Sequence, residues 1–232
     1  ACLAAATAVI APALSVEHCI REMERCLKLG MKGVWLNTMP SVGPTIRPED
    51  DPFWEACQAL GVPVHFHVRV MRQVQKPKPK GVRGDDLTGL ATVGAASMIV
   101  DLPEIISSGV HDRFPNLTWV AVETGAGWVP YILEQMDDRW WRNRSWLPVK
   151  LAHPPSFYFR RNWRIAFMVD HYAVRNRHAI GVDNMMWSTD YPHHGCDWPE
   201  TRRVVEEMFR DVPQEERHKM CALNAAKLYG LV

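Results

Sequence analysis

The sequence predicts an α/β fold of the TIM-barrel-like kind, in which parallel strands alternate with helices. Three observations predict it. Apolar runs of strand length alternate with amphipathic stretches of helical period along the chain, which is the rhythm of repeated βαβ units. Several of those runs end in ionisable residues: His65 and His67, Glu123, Asp170 with His171, and Asp190 with His193. In a barrel such ends converge on one face. A doubly wound sheet accommodates six strands equally well, but no GxGxxG follows the first strand and nothing phosphate-binding opens a helix.

The first strand is expected from about Leu3 to Ile10, leading into a helix whose N-cap is Ser15. Val16, Cys19, Ile20, Met23, Cys26 and Leu27 fall at helical spacing, with Glu17, Arg21, Glu22, Glu24 and Arg25 on the other side. Gly30 stops this helix. GVWLN reads as the second strand, and Asp51 to Leu60 as a helix with Pro52 in its first turn, closed by Gly61 and followed by the strand VPVHFHV. The polar, Pro- and Gly-bearing stretch MRQVQKPKPKGVRGDDLTG is then expected as a loop of the kind that forms lids. Ala95 to Ser108 follows as a helix broken by Pro103. Three more strands are expected at Leu117 to Glu123, Trp163 to Asp170 and Met185 to Asp190, separated by helices such as WVPYILEQMDDRWW and closed by PQEERHKMCALNAAKLYGLV.

With 232 residues and 47% apolar content, the chain can bury the core of one large domain, taken as residues 1–232. Its 27 basic and 26 acidic residues leave no electrostatic footprint for nucleic acid or an anionic membrane, so a small molecule is the expected partner. The opening ACLAAATAVIAPAL has no basic leader and is too short to span a bilayer, which favours a buried strand. Six cysteines without a CxxC spacing read as reduced thiols, in keeping with a cytoplasmic location.

Imidazole nitrogen and carboxylate oxygen suit a borderline divalent ion such as zinc, and the same groups serve as acid and base without metal. Each has a plainer alternative. His67 has the features of a hydrogen-bonded core histidine, Glu123 those of a structural partner for an arginine, and Asp190 those of a residue initiating the turn at Pro192. Convergence of several such ends is harder to explain in this way than any one of them.

Five segments carry a resemblance: CIREMERCLKLGMKGVWLN, DPFWEACQALGVPVHFHV, SSGVHDRFPNLTWVAVETGAGWVPYILEQMD, WSTDYPHHGCDWPET and NAAKLYGL. Together they cover most of the chain, and it resembles the amidohydrolase-related superfamily in the branch of aminocarboxymuconate semialdehyde decarboxylase and related aromatic-acid decarboxylases. That resemblance implies a metal-dependent (β/α)8 barrel of the hydrolase type. On it the chain supplies strands three to eight, the first two and their ligand pair being missing. It also implies His67 and Asp190 as metal ligands, with zinc expected first and manganese as the alternative. Glu123 stands where such decarboxylases commonly carry a catalytic histidine. A carboxylate there accepts a proton more readily than it gives one, so the expected activity is a hydrolase of a small carboxylated or acyl substrate, with Asp190 and Glu123 catalytic. A carboxy-lyase of aromatic acids is the alternative, and a non-catalytic ligand-binding barrel the second alternative. Arg69, Trp128, Trp187 and His193 are the expected substrate contacts, and the possibility of a homodimer stays open.

Overall fold

The computed structural model describes residues 7–10, 15–36, 38–43, 45–67 and 87–232, with side chains described for all of these but 7–10 and 87–96. Six strands, β1 (Thr7–Ile10), β2 (Gly33–Leu36), β3 (Val64–His67), β4 (Trp119–Val122), β5 (Trp163–Phe167) and β6 (Met185–Trp187), pair in parallel in the order β1-β2-β3-β4-β5-β6. A doubly wound sheet reverses its order at a switch point. This sheet never does, so its winding is that of a β/α barrel.

The helices are α1 (Val16–Lys28), α2 (Asp51–Ala59), α3 (Leu87–Ser107), α4 (Val110–Arg113), α5 (Val129–Asn143), α6 (Pro155–Asn162), α7 (His171–Arg175), α8 (Arg177–Ile180), α9 (Thr201–Met208), α10 (Gln214–His218) and α11 (Asn224–Leu228). Ser15 caps α1 as its sequence position predicts, its Oγ accepting the N–H of His18 at 3.2 Å. Gly30 and Gly61 take the left-handed conformation, at φ 89° and 64°, just past α1 and α2, where a Cβ would be strained.

The observed strands lie within the expected ones, of which residues 3–6 of the first, Asn37 of the second and Val68 of the third lie outside the described residues. Helix α3 differs more. It begins at Leu87 and runs through Pro103 without a break. Proline removes one backbone donor there, but Met98, Leu102, Ile105 and Ile106 are buried on both sides of it, and that packing outweighs the local loss. Of the expected lid loop, residues 71–89, positions 71–86 lie outside the described residues and the last three, 87–89, are helical.

Alternation along the strands sorts the side chains. Val34, Leu36, Val64, Phe66, Trp119, Ala121, Trp163, Ile165, Phe167 and Met185 point to the helices and form the core. Its centre is aromatic: the Trp119 ring stacks on Phe66 with centroids 5.3 Å apart and lies 5.0 Å from Trp54 and 5.8 Å from Trp163. Trp163 Nε1 donates to Nε2 of the buried His111 at 2.9 Å. The five described cysteines are free thiols, three of them buried.

Burial pushes the pKa of His111 down to about 3 and that of His65 down to about 4. Both rings are therefore neutral in the folded protein at pH values where an unfolded histidine takes up a proton. Between pH ~6.5 and ~4 the unfolded chain binds more protons, so stability rises with pH across that window. Thermal unfolding of the full-length protein is expected to show a melting temperature that falls steadily below pH ~6.5; a flat profile down to pH 5 would show that these rings reach solvent.

Candidate active site

The opposite face of the sheet carries Trp35 on β2, His65 and His67 on β3, Val120 and Val122 on β4, Ala166 on β5 and Met186 on β6. With Trp187, Ser188, Ala225 and Tyr229 these residues line a cavity of about 450 Å³. His67 is the last residue of β3, Glu123 follows the last residue of β4, and Asp190 lies three residues past β6. All three stand at carboxyl ends of parallel strands, where a barrel collects its chemistry.

Their side chains form one network. His67 Nε2 lies 3.0 Å from Glu123 Oε2, Glu123 shares a hydrogen bond with Asp190, and Asp190 Oδ2 lies 2.9 Å from His193 Nδ1. The hydrogen bond to His67 holds the Glu123 carboxyl below the usual range. Asp190 is shifted the other way, first by burial and then by Glu123 beside it. Two carboxyl groups in contact do not both ionise readily, so each opposes the ionisation of the other.

The backbone supports this placement at a cost. Glu123 and Asp190 have φ of 58° and 55°, and the loop after β2 adds Val42 at 60°. A left-handed conformation costs a non-glycine residue about 1–3 kcal/mol and persists where the surroundings enforce it, commonly at active sites. That both carboxylates of the network carry this strain marks the strand ends as a built site.

The other expected residues are distributed unequally. Trp187 lines the cavity, whereas His193 is largely exposed at its outer edge, paired with Asp190. Trp128 sits at the start of α5 and packs against the core. Its Nε1 donates to the carbonyls of Thr124 and Gly125 at 2.9 and 3.1 Å, which places its ring behind the loop carrying Glu123, away from the cavity lining. Arg69 lies outside the described residues. Asp170 does not join the network, although its strand end has the same signature. Its two oxygens are taken by the backbone N–H groups of Ala126, Gly127 and Ala173.

Two cavity residues had no sequence signal. Tyr229 hydroxyl lies 2.7 Å from His65 Nε2, while His65 Nδ1 lies 2.9 Å from the Val34 carbonyl. Nδ1 therefore donates to the carbonyl and Nε2 accepts from Tyr229, which fixes the tautomer and occupies both nitrogens. Gly33 is required beneath this ring, since a Cβ there would lie 2.5 Å from a His65 ring carbon. Trp35 is the second, its ring centroid 5.0 Å from that of His67.

Imidazole nitrogen and two carboxylates in mutual contact are suitable donors for a divalent cation. His67 and Asp190 are the residues that would hold one. Among the described residues no group of three His, Cys, Asp or Glu side chains is arranged to hold a metal ion.

A singly wound parallel sheet with imidazole and carboxylate groups at the carboxyl ends of its strands is the arrangement of a β/α-barrel site. The model of the amidohydrolase family matches residues 3–231, and the chain belongs to that family, as the resemblance implies. It is 28% identical over 247 aligned positions to gamma-resorcylate decarboxylase of Polaromonas sp. strain JS666, covering 95% of this chain and 68% of that protein. The crystal structure of 5-carboxyvanillate decarboxylase from Sphingomonas paucimobilis superposes with a TM-score of 0.74 at 22% identity, over 96% of this chain and 65% of that one. That of a dihydroxybenzoic acid decarboxylase from Polaromonas sp. JS666, with bound manganese and the inhibitor 2-nitroresorcinol, gives 0.68 at 23%, over 94% and 66%. The chain thus spans about two thirds of the length of these relatives. Among the described residues no helix is long and apolar enough to cross a membrane.

Proposed function

We propose that the protein containing this chain is a divalent-metal-dependent carboxy-lyase that removes carbon dioxide from a small hydroxylated aromatic acid. The observation that carries this reading is the continuous contact from His67 through Glu123 to Asp190 at the strand ends, in a chain whose relatives are aromatic-acid decarboxylases. The exchange of histidine for Glu123 favoured a hydrolase when taken alone. The network weakens that objection, because Glu123 is hydrogen-bonded to the Asp190 carboxyl and does not act by itself.

In decarboxylation the bond from ring carbon to carboxylate breaks, its electron pair stays on the ring carbon, carbon dioxide leaves, and one proton must reach that carbon. The hydrogen-bonded chain from Glu123 through Asp190 to the solvent-exposed His193 is the route by which such a proton reaches the cavity. Trp35 and Trp187 give the cavity aromatic walls for a ring substrate. A divalent cation held in part by His67 and Asp190 would supply Lewis-acid polarisation of the substrate's oxygens. Manganese, the ion in the Polaromonas decarboxylase structure, is the first to test and zinc the second.

The test is to incubate full-length protein with manganese and gamma-resorcylate in water labelled with oxygen-18, and in parallel in deuterium oxide. Carbon dioxide release with one deuterium on the product ring, and no oxygen-18 incorporated into that ring product, is the expected result. Oxygen-18 in the organic product of an acyl substrate, with no carbon dioxide from any aromatic acid, would instead establish hydrolysis. Chelation is expected to stop the reaction, and added manganese to restore it.

A further inference from the structure

We propose that Asp170 is a positioning residue for Glu123: its carboxylate fixes the loop after β4 so that Glu123 is held in its left-handed conformation against His67. The inference rests on the reading in which Glu123 takes part in proton transfer. Asp170 Oδ2 accepts two backbone hydrogen bonds, from Ala126 and Gly127, each at 2.8 Å. Its Oδ1 accepts the N–H of Ala173, also at 2.8 Å, and so caps α7. The two oxygens thus have separate tasks, one within its own helix and one on the neighbouring strand-end loop.

That loop is held from both sides. Trp128 Nε1 donates to the carbonyls of Thr124 and Gly125, while Asp170 accepts from the amides of Ala126 and Gly127. Gly125, at φ 63°, turns the chain between the two attachments. The fit against Asp170 is close, since a Cβ on Gly127 would lie 3.0 Å from Asp170 Oδ1. Glu123 is three residues from the first of these amides and carries a strained φ that a free loop would relax.

The division between oxygens makes the idea testable in the full-length protein. Asp170→Ser retains a good N-cap for α7 but is too short to reach Ala126 and Gly127. Gly127→Ala leaves Asp170 in place and displaces its carboxylate from the other side. For both variants kcat for carbon dioxide release is expected to fall roughly tenfold to a hundredfold with KM little changed, as when a catalytic group is misplaced by about an ångström. Crystal structures of the variants give a readout independent of activity, in the φ of Glu123 and its distance to His67. Movement of Glu123 out of the left-handed region, or loss of its contact with His67, supports the positioning role. If Glu123 keeps both in Asp170→Ser, the inference is overturned whatever the rate. If Glu123 moves and kcat does not fall, Asp170 positions it as proposed and the role of Glu123 in proton transfer is what fails.

Discussion

Replacing Asp190 with Ala in the full-length protein is expected to lower carbon dioxide release by on the order of a thousandfold or more while leaving the fold intact, because in the proposed function the residue is a metal donor and links Glu123 to His193. It stands outside the strand it follows, and its side chain contacts Glu123 and His193 and belongs to no part of the core. His67→Ala removes the other proposed ligand and the group that holds Glu123 ionised, so a loss of the same order is expected, with lower metal content in both variants. His193→Ala is the graded control. Its ring is 56% exposed, and water can replace it as a proton source, so roughly a tenfold loss is expected. Elemental analysis and initial rates on the three variants decide the matter. Unchanged metal content and rate in Asp190→Ala and His67→Ala would remove both residues from the site.

The largest effect on stability is expected in the aromatic core. Trp119 is fully buried between Trp54, Phe66 and Trp163, and Trp119→Ala is expected to cost about 3–5 kcal/mol, the range for truncating a large buried aromatic side chain. For a domain of this size that corresponds to a fall in melting temperature of roughly 10 °C or more. Substitution by Phe separates packing from hydrogen bonding. The Trp119 indole N–H has no partner among the described residues, whereas that of Trp163 donates to His111. Trp163→Phe also leaves His111 Nε2 buried without that donor, so it is expected to be the more destabilising of the two by about 1–2 kcal/mol. Equal melting temperatures for the two Phe variants would mean that the Trp163–His111 bond adds no net stability.

The features legible in the sequence are those with a local cause. Strands such as Val64–His67 and Trp119–Val122 declare themselves as apolar runs between turn residues, and Ser15 and Gly30 mark their helix ends through side-chain and φ requirements confined to a few positions. Strand-end ionisable residues mark positions both inside and outside the His67–Glu123–Asp190 network, so the signal does not discriminate. Glu123 and Asp170 carry the same signature, and what separates them is that backbone amides from a different loop take the Asp170 carboxylate, a fact with no trace in spacing. The left-handed φ of Glu123 was equally invisible, since it is imposed by surrounding packing on a residue without a preference for it. Pro103 misled in the other direction, its local signal being overridden by the buried residues around it.

The unreversed strand order also bears on how such a chain comes together during synthesis. Each strand pairs with the one made just before it, so every newly emerged βα unit meets an edge already synthesised and needs no return across the sheet to reach it. The hydrogen bond between His65 and Tyr229 is of another sort, joining residues 164 positions apart. It can form only after the sixth strand and the final helix have emerged, and it ties the end of the chain to the third strand beside His67. The floor of the cavity is therefore among the last parts of the sheet's inner face to be completed, and a nascent chain holds its strand-end residues in register well before it encloses a place for a ligand.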